Sequence, residues 1–312
     1  METTIEPPSG RQHTIAYGSQ QATVVEVGGG LRVYSVAGHQ VFDGYSPEVR
    51  CTGARGQVLV PWPNRLGGGH YSFGGDELRV PLNEPEKGNA IHGLVRWANW
   101  HAVEHTDARV VMAHLLHPSP GYPFTLALRL AYMLSPGGLS VRLDATNAGR
   151  TALPYGAGAH PYLMLGGPTV DPLVLRAPGT SRIVTDSRQL PTSTEPVDGT
   201  PYDFRKPRRI GDAVLDTGYA DLLRDGDGRA TVELATEDGA RRVTLWMDAA
   251  ARYLMLFTGD TLKRKEERRR SLGVEPMTCA PNAFATGEGL DVLEPAQTSS
   301  MEWGIAATGF GP

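Results

Sequence analysis

The feature that most constrains the fold is an alternation of apolar and polar residues on both sides of a glycine-containing turn. Apolar side chains occupy every second position from Leu126 to Leu134 and again from Leu139 to Ala145, with Ser135-Pro136-Gly137-Gly138 between the two runs. Alternate residues of a strand point to the same face, so each run predicts a strand with one buried face. The intervening turn predicts a long antiparallel hairpin packed on a core.

The same pattern recurs elsewhere in the chain. Residues 23–27 and 31–36 flank a triple glycine, and a further pair of apolar runs spans Val232–Ala235 and Val243–Met247. Gly and Pro make up about a fifth of the 312 residues and are spread along the chain, which is typical of turns between many short strands. We therefore predict an all-β protein, a large antiparallel β-sandwich, with a loose lead-in over residues 1–20 and a single domain over residues 21–312.

Charge and cysteine content narrow the class of protein. The formal net charge of −4 gives no electrostatic case for binding nucleic acid or an anionic membrane. The basic run at residues 263–270 is isolated in an acidic chain and is typical of a solvated loop. Cys51 and Cys279 are far apart, which favours a reducing compartment over a disulfide framework or a zinc motif. The sequence has no apolar leader or membrane-length segment, so we expect a cytoplasmic protein, either a monomer or a homodimer.

Two stretches fix a titratable side chain beside a proline. Small residues from Gly156 to Ala159 lead into His160-Pro161-Tyr162, where the proline favours an extended backbone for the histidine. Glu275 lies beside Pro276 at the end of an apolar run and is fixed in the same way. Each residue alone is compatible with a structural role. Together they are candidates for a general acid and a general base.

Polar groups suited to a small polar ligand occur in three other segments. Asn64 and Arg65 follow Trp62-Pro63 at the mouth of a glycine-rich loop, and an arginine there can donate a planar fork to hydroxyls or carboxylates. His92-Gly93 precedes two tryptophans, and aromatic faces with a few polar donors are typical of sugar sites. Asp216 and Asp221 are both candidates for hydroxyl contacts, and the sequence leaves open which of them has this role.

In this order and spacing, the segments resemble the aldose 1-epimerases, also called mutarotases, which are related to galactose mutarotase. The resemblance covers the chain from about Thr23 to the C-terminus. It implies a galactose mutarotase-like supersandwich with the sugar site in an open cleft on one sheet. It also implies that His160 is the general acid and Glu275 the general base. Arg65, His92, Asp216 and Asn64 would then contact the sugar.

The implied reaction is the interconversion of α and β anomers of an aldohexose. A base removes the C1 hydroxyl proton, an acid protonates the ring oxygen, and reclosure after rotation about C1–C2 gives the other anomer. Reference pKa values predict an ionised Glu275, and a neighbouring carboxylate would keep His160 protonated. The reaction needs no metal and no other cofactor. Galactose, glucose and sulfonated or phosphorylated hexoses all remain possible substrates.

Three alternatives use the same residues. A non-catalytic carbohydrate-binding protein would use Trp97, Arg65 and Asp216 but has no need for both His160 and Glu275. A glycoside hydrolase would need two carboxylates, which Asp216 and Glu275 could supply. A metal site could be formed by His92, His160 and Glu275, which are ligand types for zinc, although their wide spacing makes this motif unspecific.

Overall fold

The computed structural model describes residues 6–311. Within that range the chain forms one 3₁₀ turn (Lys265–Glu267), one short helix, α1 (Ala283–Thr286), and 27 strands. The strands in chain order are β1 (Gln12–Tyr17), β2 (Gln20–Val25), β3 (Leu31–Val36), β4 (His39–Phe42), β5 (Val58–Leu59), β6 (Arg65–Gly67), β7 (His70–Phe73), β8 (Asp76–Arg79), β9 (Asn89–Ile91), β10 (His101–His105), β11 (Arg109–Leu116), β12 (Leu126–Ser135), β13 (Gly138–Asn147), β14 (Leu153–Tyr155), β15 (Gly158–Ala159), β16 (Tyr162–Leu163), β17 (Val174–Arg176), β18 (Gly179–Thr185), β19 (Pro191–Pro196), β20 (Arg208–Arg209), β21 (Asp216–Leu222), β22 (Ala230–Ala235), β23 (Arg242–Met247), β24 (Tyr253–Phe257), β25 (Leu272–Met277), β26 (Asp291–Leu293) and β27 (Thr298–Thr308).

Two large antiparallel sheets form the sandwich, which confirms the all-β prediction. The first has the strand order β1-β2-β3-β4-β16-β25-β24-β21-β18-β19, with β15 and β5 attached beside β25. The second has the order β10-β11-β12-β13-β27-β23-β22-β17-β20. Three two-stranded ladders, β14-β26, β6-β9 and β7-β8, complete the set.

The core lies between the two large sheets and contains the apolar faces that the sequence predicts. Strands β12 and β13 pair in register from Leu126–Asn147 to Ser135–Gly138, and their alternate apolar residues are at most 2% exposed. The predicted hairpins β2–β3 and β22–β23 are also present. Because the second sheet is solvated on its outer face, β12 and β13 follow the apolar–polar alternation closely.

The N-terminal segment differs from the predicted lead-in. Residues 12–17 form β1, which pairs with β2 along its whole length, and Ile15 is 1% exposed in the main core. The alternation in this segment is weak because β1 is an edge strand with one core contact. Residues 1–5 lie outside the described part of the chain. The single domain that we propose for residues 21–312 therefore begins before residue 21.

The basic run at residues 263–270 is not solvated along its whole length, because its last two arginines form ion pairs. Arg269 forms ion pairs with Asp171 and Asp260 at 2.7 and 2.8 Å, and Arg270 donates to Asp43 at 2.7 Å. Asp171 and Asp43 come from distant parts of the chain, so local sequence could not indicate these two partners. Both cysteines are free and buried. Within residues 6–311, no helix has the length and apolar character needed to cross a membrane.

The strands at the middle of the first sheet are buried on both faces. On β25, Leu272 and Val274 belong to the sandwich core, so the alternate residue Glu275 projects from the opposite face. The β6–β9 ladder and the loops around it cover that face above a second, smaller apolar cluster. This arrangement leaves a cleft between the sheet and the ladder.

Candidate active site

A cleft of about 330 Å³ brings together segments that are far apart in sequence. Its volume is at the lower end of the ~300–1,000 Å³ that is typical of small-molecule sites. All six residues predicted as catalytic or substrate-binding line it, namely Asn64, Arg65, His92, His160, Asp216 and Glu275.

His160 and Glu275 form a direct pair in the cleft wall. Nε2 of His160 lies 3.1 Å from Oε1 of Glu275, and the two residues are 5% and 3% exposed. The pairing of β16 with β25 sets this geometry, and the backbone N–H of Val274 also donates to the Pro161 carbonyl at 2.9 Å. The prolines beside both residues therefore lie in the strand region that brings them together.

Burial disfavours the charged form of both partners. It lowers the pKa of His160 to about 3, and the positive charge of Arg96 contributes in the same direction. Burial also raises the pKa of Glu275 well above its ordinary value, assisted by the negative charge of Asp216 and opposed by Arg65. The resting pair therefore favours a neutral imidazole beside a protonated carboxyl group.

This protonation state differs from the one expected from the sequence. Reference pKa values predict an ionised Glu275 and a protonated His160, but those values apply to groups in water. In both protonation states His160 and Glu275 share one titratable proton. The states differ only in which side chain holds it, and the two side chains are 3.1 Å apart. Each state therefore provides one proton donor and one proton acceptor.

Arg65 lies on the ladder side of the cleft and is oriented by a carboxylate. Its Nε and Nη2 donate to Glu84 at 2.8 and 2.9 Å, and Asn89 also donates to Glu84 at 3.0 Å. Burial alone would raise the pKa of Glu84, but these bonds lower it below its ordinary value. This bidentate pair fixes the plane of the guanidinium.

Asn64 and His92 hold each other in place. Both have left-handed backbones, with φ of 55° and 64°, and the His92 N–H donates to the Asn64 carbonyl at 2.9 Å. The Asn64 backbone N–H donates in return to Nδ1 of His92 at 3.2 Å, and the Asn64 side-chain oxygen accepts the backbone N–H of Arg65. Burial lowers the pKa of His92 well below its ordinary value. The imidazole is therefore neutral, and its proton lies on Nε2.

The donor set fits a metal ion poorly. His92, His160 and Glu275 each offer one ligand atom within 4.8 Å of the others. However, Nδ1 of His92 already accepts a backbone N–H, so its other nitrogen carries a proton and presents no lone pair. A catalytic zinc site usually has three protein ligands. We therefore do not propose a metal at this position.

The structure separates the two candidate aspartates. Asp216, at the start of β21, lies in the cleft wall and accepts a short hydrogen bond from Nε2 of Gln189. Asp221 is exposed, accepts from Ser181 at 2.8 Å and lies outside the cleft wall. Of the two, only Asp216 can contact a ligand bound beside Glu275.

Several residues of the cleft wall or next to it were not among the predicted site residues, and four of them bear on its chemistry. Glu84, Arg96 and Tyr162 line the cleft, and Gln189 orients Asp216. The Tyr162 ring stacks on His160 with centroids 4.9 Å apart and an interplanar angle of 16°. Its position two residues after His160 is a usable signal, because such residues share a face of an extended chain. Glu84 and Gln189 lie in loops, and their partners Arg65 and Asp216 are 19 and 27 residues away in sequence.

Trp97 does not form part of the cleft wall. It is 48% exposed, and the guanidinium groups of Arg50 and Arg96 lie 5.4 and 5.7 Å from its ring centroid. The aromatic contact expected of a simple sugar-binding protein is therefore not supplied by this residue. Burial lowers the pKa of Arg96.

The chain has many similar proteins. Residues 11–305 match the aldose 1-epimerase family. The chain is 33% identical over 306 residues to the uncharacterised protein YihR of Escherichia coli (strain K12), covering 98% of this chain and 96% of YihR. It is 25% identical over 262 residues to the maltose epimerase of Levilactobacillus brevis, covering 77% and 75% of the two chains. The structure of an aldose epimerase homologue from C. elegans superposes with a TM-score of 0.84 at 16% identity, covering 96% of this chain and 98% of the other.

The chain belongs to the aldose 1-epimerase family, as the match over nearly its whole length shows. Its sandwich has the galactose mutarotase fold. The resemblance inferred from the five short segments is therefore confirmed.

Proposed function

We propose that this protein is an aldose 1-epimerase that interconverts the α and β anomers of an aldohexose. The observation that carries the proposal is the contact of 3.1 Å between His160 and Glu275 in the wall of a cleft of sugar-binding size. The C1 hydroxyl oxygen and the ring oxygen are bonded to the same carbon atom. A proton donor and a proton acceptor must therefore lie side by side to reach both, and this pair does.

The proposed steps conserve the proton of the pair. Transfer of the Glu275 proton to His160 across their 3.1 Å contact prepares the pair, after which Glu275 removes the proton of the C1 hydroxyl and His160 donates its proton to the ring oxygen. As the C1–ring oxygen bond breaks, C1 becomes the carbonyl carbon of the open chain. Rotation about C1–C2 and reclosure with the roles reversed give the other anomer. The mechanism works in both directions, because the pair ends each cycle with one proton, as it began.

The remaining cleft residues are proposed to bind and orient the sugar. Arg65 presents a guanidinium fixed by Glu84, His92 presents an Nε2–H donor, and Asp216 presents carboxylate oxygens. Asn64 acts indirectly, through the bond of its side-chain oxygen to the Arg65 backbone and its backbone bonds to His92. No metal and no other cofactor takes part in this scheme. Two free cysteines suit a reducing compartment such as the cytoplasm, where we place the protein.

Polarimetry tests the proposal directly. Freshly dissolved α-D-glucose, α-D-galactose and maltose approach their equilibrium rotation slowly without catalyst, and we expect the purified protein to accelerate at least one of them. Maltose is included because a similar protein is a maltose epimerase. Anionic hexoses form the next panel. Saturable binding of these sugars without acceleration of any would contradict the proposal and favour a carbohydrate-binding protein.

A glycoside hydrolase is the second candidate because Asp216 and Glu275 share one cleft. Burial, assisted by the charge of Asp216, raises the pKa of Glu275, a pattern found in the acid of glycosidases. Against it, His160 already bonds to Glu275, and Gln189 bonds to Asp216. Release of the aryl group from aryl glycosides, lost in Glu275→Gln, would favour the hydrolase over the epimerase.

A further inference from the structure

Arg55 is a buried cation that the proposed chemistry does not use. It is 1% exposed and lies in the loop between β4 and β5, outside the cleft wall. Its Nη1 is 3.2 Å from Glu267, and its Nε is 3.4 Å from Asp43. Removing a guanidinium from water carries a large desolvation penalty. The site must therefore hold this charge in place, and the ring of Tyr162 contacts both this charge and His160.

The guanidinium packs on an aromatic ring that in turn packs on His160. The Cζ atom of Arg55 lies 4.8 Å from the centroid of the Tyr162 ring, within the range of a cation–π contact. The Tyr162 ring stacks on the imidazole of His160 at 4.9 Å and 16°. The Tyr162 hydroxyl donates to the Gly53 carbonyl at 2.8 Å, in the same loop as Arg55. The three side chains therefore form a continuous chain of contacts from the guanidinium of Arg55 to the imidazole of His160.

The same loop also holds the backbone of His160. The Gly56 N–H donates to the His160 carbonyl at 2.9 Å, and the His160 N–H donates to the Gln57 carbonyl at 3.2 Å. Gly56 has φ of +66°, and a Cβ atom there would lie 1.9 Å from the Leu31 carbonyl oxygen, so the turn requires glycine. Loop residues 53–57 thus fix both the main chain and the ring plane of His160.

The acidic partners of Arg55 anchor it from two sides. Asp43 also accepts from Arg270 at 2.7 Å and from Ser271 at 2.7 Å. Glu267 belongs to the segment that supplies Leu262 and Lys263 to the rim of the cleft. Arg55 therefore joins the support beneath His160 to the rim of the site.

We propose that Arg55 is a positioning residue, which holds the imidazole of His160 in line with Glu275 and the sugar through the ring of Tyr162. The catalytic part of this inference rests on the proposed function. Its physical basis is the sensitivity of proton transfer to alignment, since a displacement of about 1 Å can reduce a rate about a hundredfold.

Steady-state kinetics on folded variants provide the first test. We expect Arg55→Met to lower kcat about 10- to 100-fold with KM unchanged, and Arg55→Lys to recover part of the loss. Arg224→Met is the matched control, because Arg224 donates to the carbonyls of Gly228, Asp248 and Ala251 and lines a different groove. The control should retain kcat. Wild-type kcat in folded Arg55→Met would overturn the proposal and leave the proposed function intact.

Tyr162→Leu provides the second test if Arg55→Met does not fold. It removes the stacked ring but keeps the ion pairs of Arg55, and it should give the same loss of kcat. Tyr162→Phe, which retains the ring, should restore most of that loss. Equal kcat for the leucine and phenylalanine variants would overturn the stacking mechanism.

NMR of protein labelled with ¹⁵N-histidine separates this inference from the proposed function. We expect Arg55→Met to shift and broaden the imidazole signals of His160 and to leave the solvent-exposed ring of His70 unchanged. This result does not depend on any sugar. If the wild type accelerates no mutarotation, the NMR signals still test the support of His160. Unchanged His160 signals in Arg55→Met would refute it.

Discussion

Among the glutamates that line the cleft, Glu84 and Glu275 hold opposite protonation states. Glu84 accepts two bonds from Arg65 and one from Asn89, and the net effect lowers its pKa. Glu275 has one partner, Nε2 of His160, while its Oε2 is buried without a hydrogen-bond partner among the described residues. Burial therefore raises its pKa. The same residue type is a fixed charge on one wall and a protonated group on the other.

The difference follows from the chemistry of the two partners. A guanidinium stays protonated in proteins, so Glu84 always faces a positive charge and remains ionised. An imidazole can release its proton, so the pair of His160 and Glu275 can avoid two buried charges. The wall that contains Arg65 and Glu84, the fixed-charge wall, is thus suited to binding. The wall that contains His160 and Glu275, the proton-exchanging wall, is suited to moving a proton.

The largest loss of kcat should come from a substitution in the proton-exchanging wall. We expect Glu275→Gln to fold and to lower kcat about 10²- to 10⁴-fold, because an amide keeps the shape of the side chain but cannot exchange the proton. Polarimetry under saturating sugar measures this directly. Glu84→Gln is the matched variant on the other wall, and it should mainly raise KM. Comparable kcat losses in the two variants would remove the distinction between the walls.

The fixed-charge wall should respond through affinity. We expect Arg65→Ala to raise KM about 10- to 100-fold, because a hydrogen bond from a charged group contributes about 1.5–3 kcal/mol. Arg65→Lys keeps the charge but cannot form the bidentate bond to Glu84, so its KM should lie between those of the wild type and the alanine variant. Thermal unfolding serves as the control. A large loss of stability with unchanged KM would mean that Arg65 is structural.

The sequence was sufficient for the framework of the cleft but not for its protonation. The hairpin of β12 and β13 follows from local alternation, and the motif order placed Glu275 and His160 in one site. Their burial, however, is produced by long-range pairing of β25 with β16 and β24, which no local pattern encodes. Glu84 was missed for the same reason, because its partner Arg65 is 19 residues away across a loop. Reference pKa values were therefore the only available guide to the protonation of Glu275 and His160.

Asp216 and Asp221 offer a smaller test within one strand. We expect Asp216→Asn to raise KM by up to about tenfold, since a neutral hydrogen bond contributes about 0.5–1.5 kcal/mol and replaces a charged one. Asp221→Asn should leave KM unchanged, because Asp221 is exposed and bonded to Ser181. Isothermal titration with the preferred sugar gives the affinities. The reverse ranking would place the sugar outside the cleft described above.

Stability as a function of pH compares the two glutamates without any sugar. The pKa of Glu275 is raised in the folded state, so the folded protein keeps a proton that the unfolded chain releases above its ordinary pKa of 4.5. The unfolding free energy of the wild type therefore falls as pH rises from this ordinary pKa toward the raised pKa of the folded state. This group contributes at most about 1.4 kcal/mol per pH unit to the fall. Gln cannot titrate, so Glu275→Gln should gain stability relative to wild type from pH 5 to 7.

Glu84→Gln supplies the opposite case. The pKa of Glu84 is lowered on folding, so its contribution to stability is complete above the ordinary pKa and is lost only as pH falls through the folded value. Denaturant unfolding between pH 5 and 7 should therefore give a constant difference between Glu84→Gln and wild type, while the difference for Glu275→Gln grows. Constant differences for both variants would mean that Glu275 is ionised at rest. The proton would then lie on His160, as reference pKa values predict, and the two walls would no longer differ in charge.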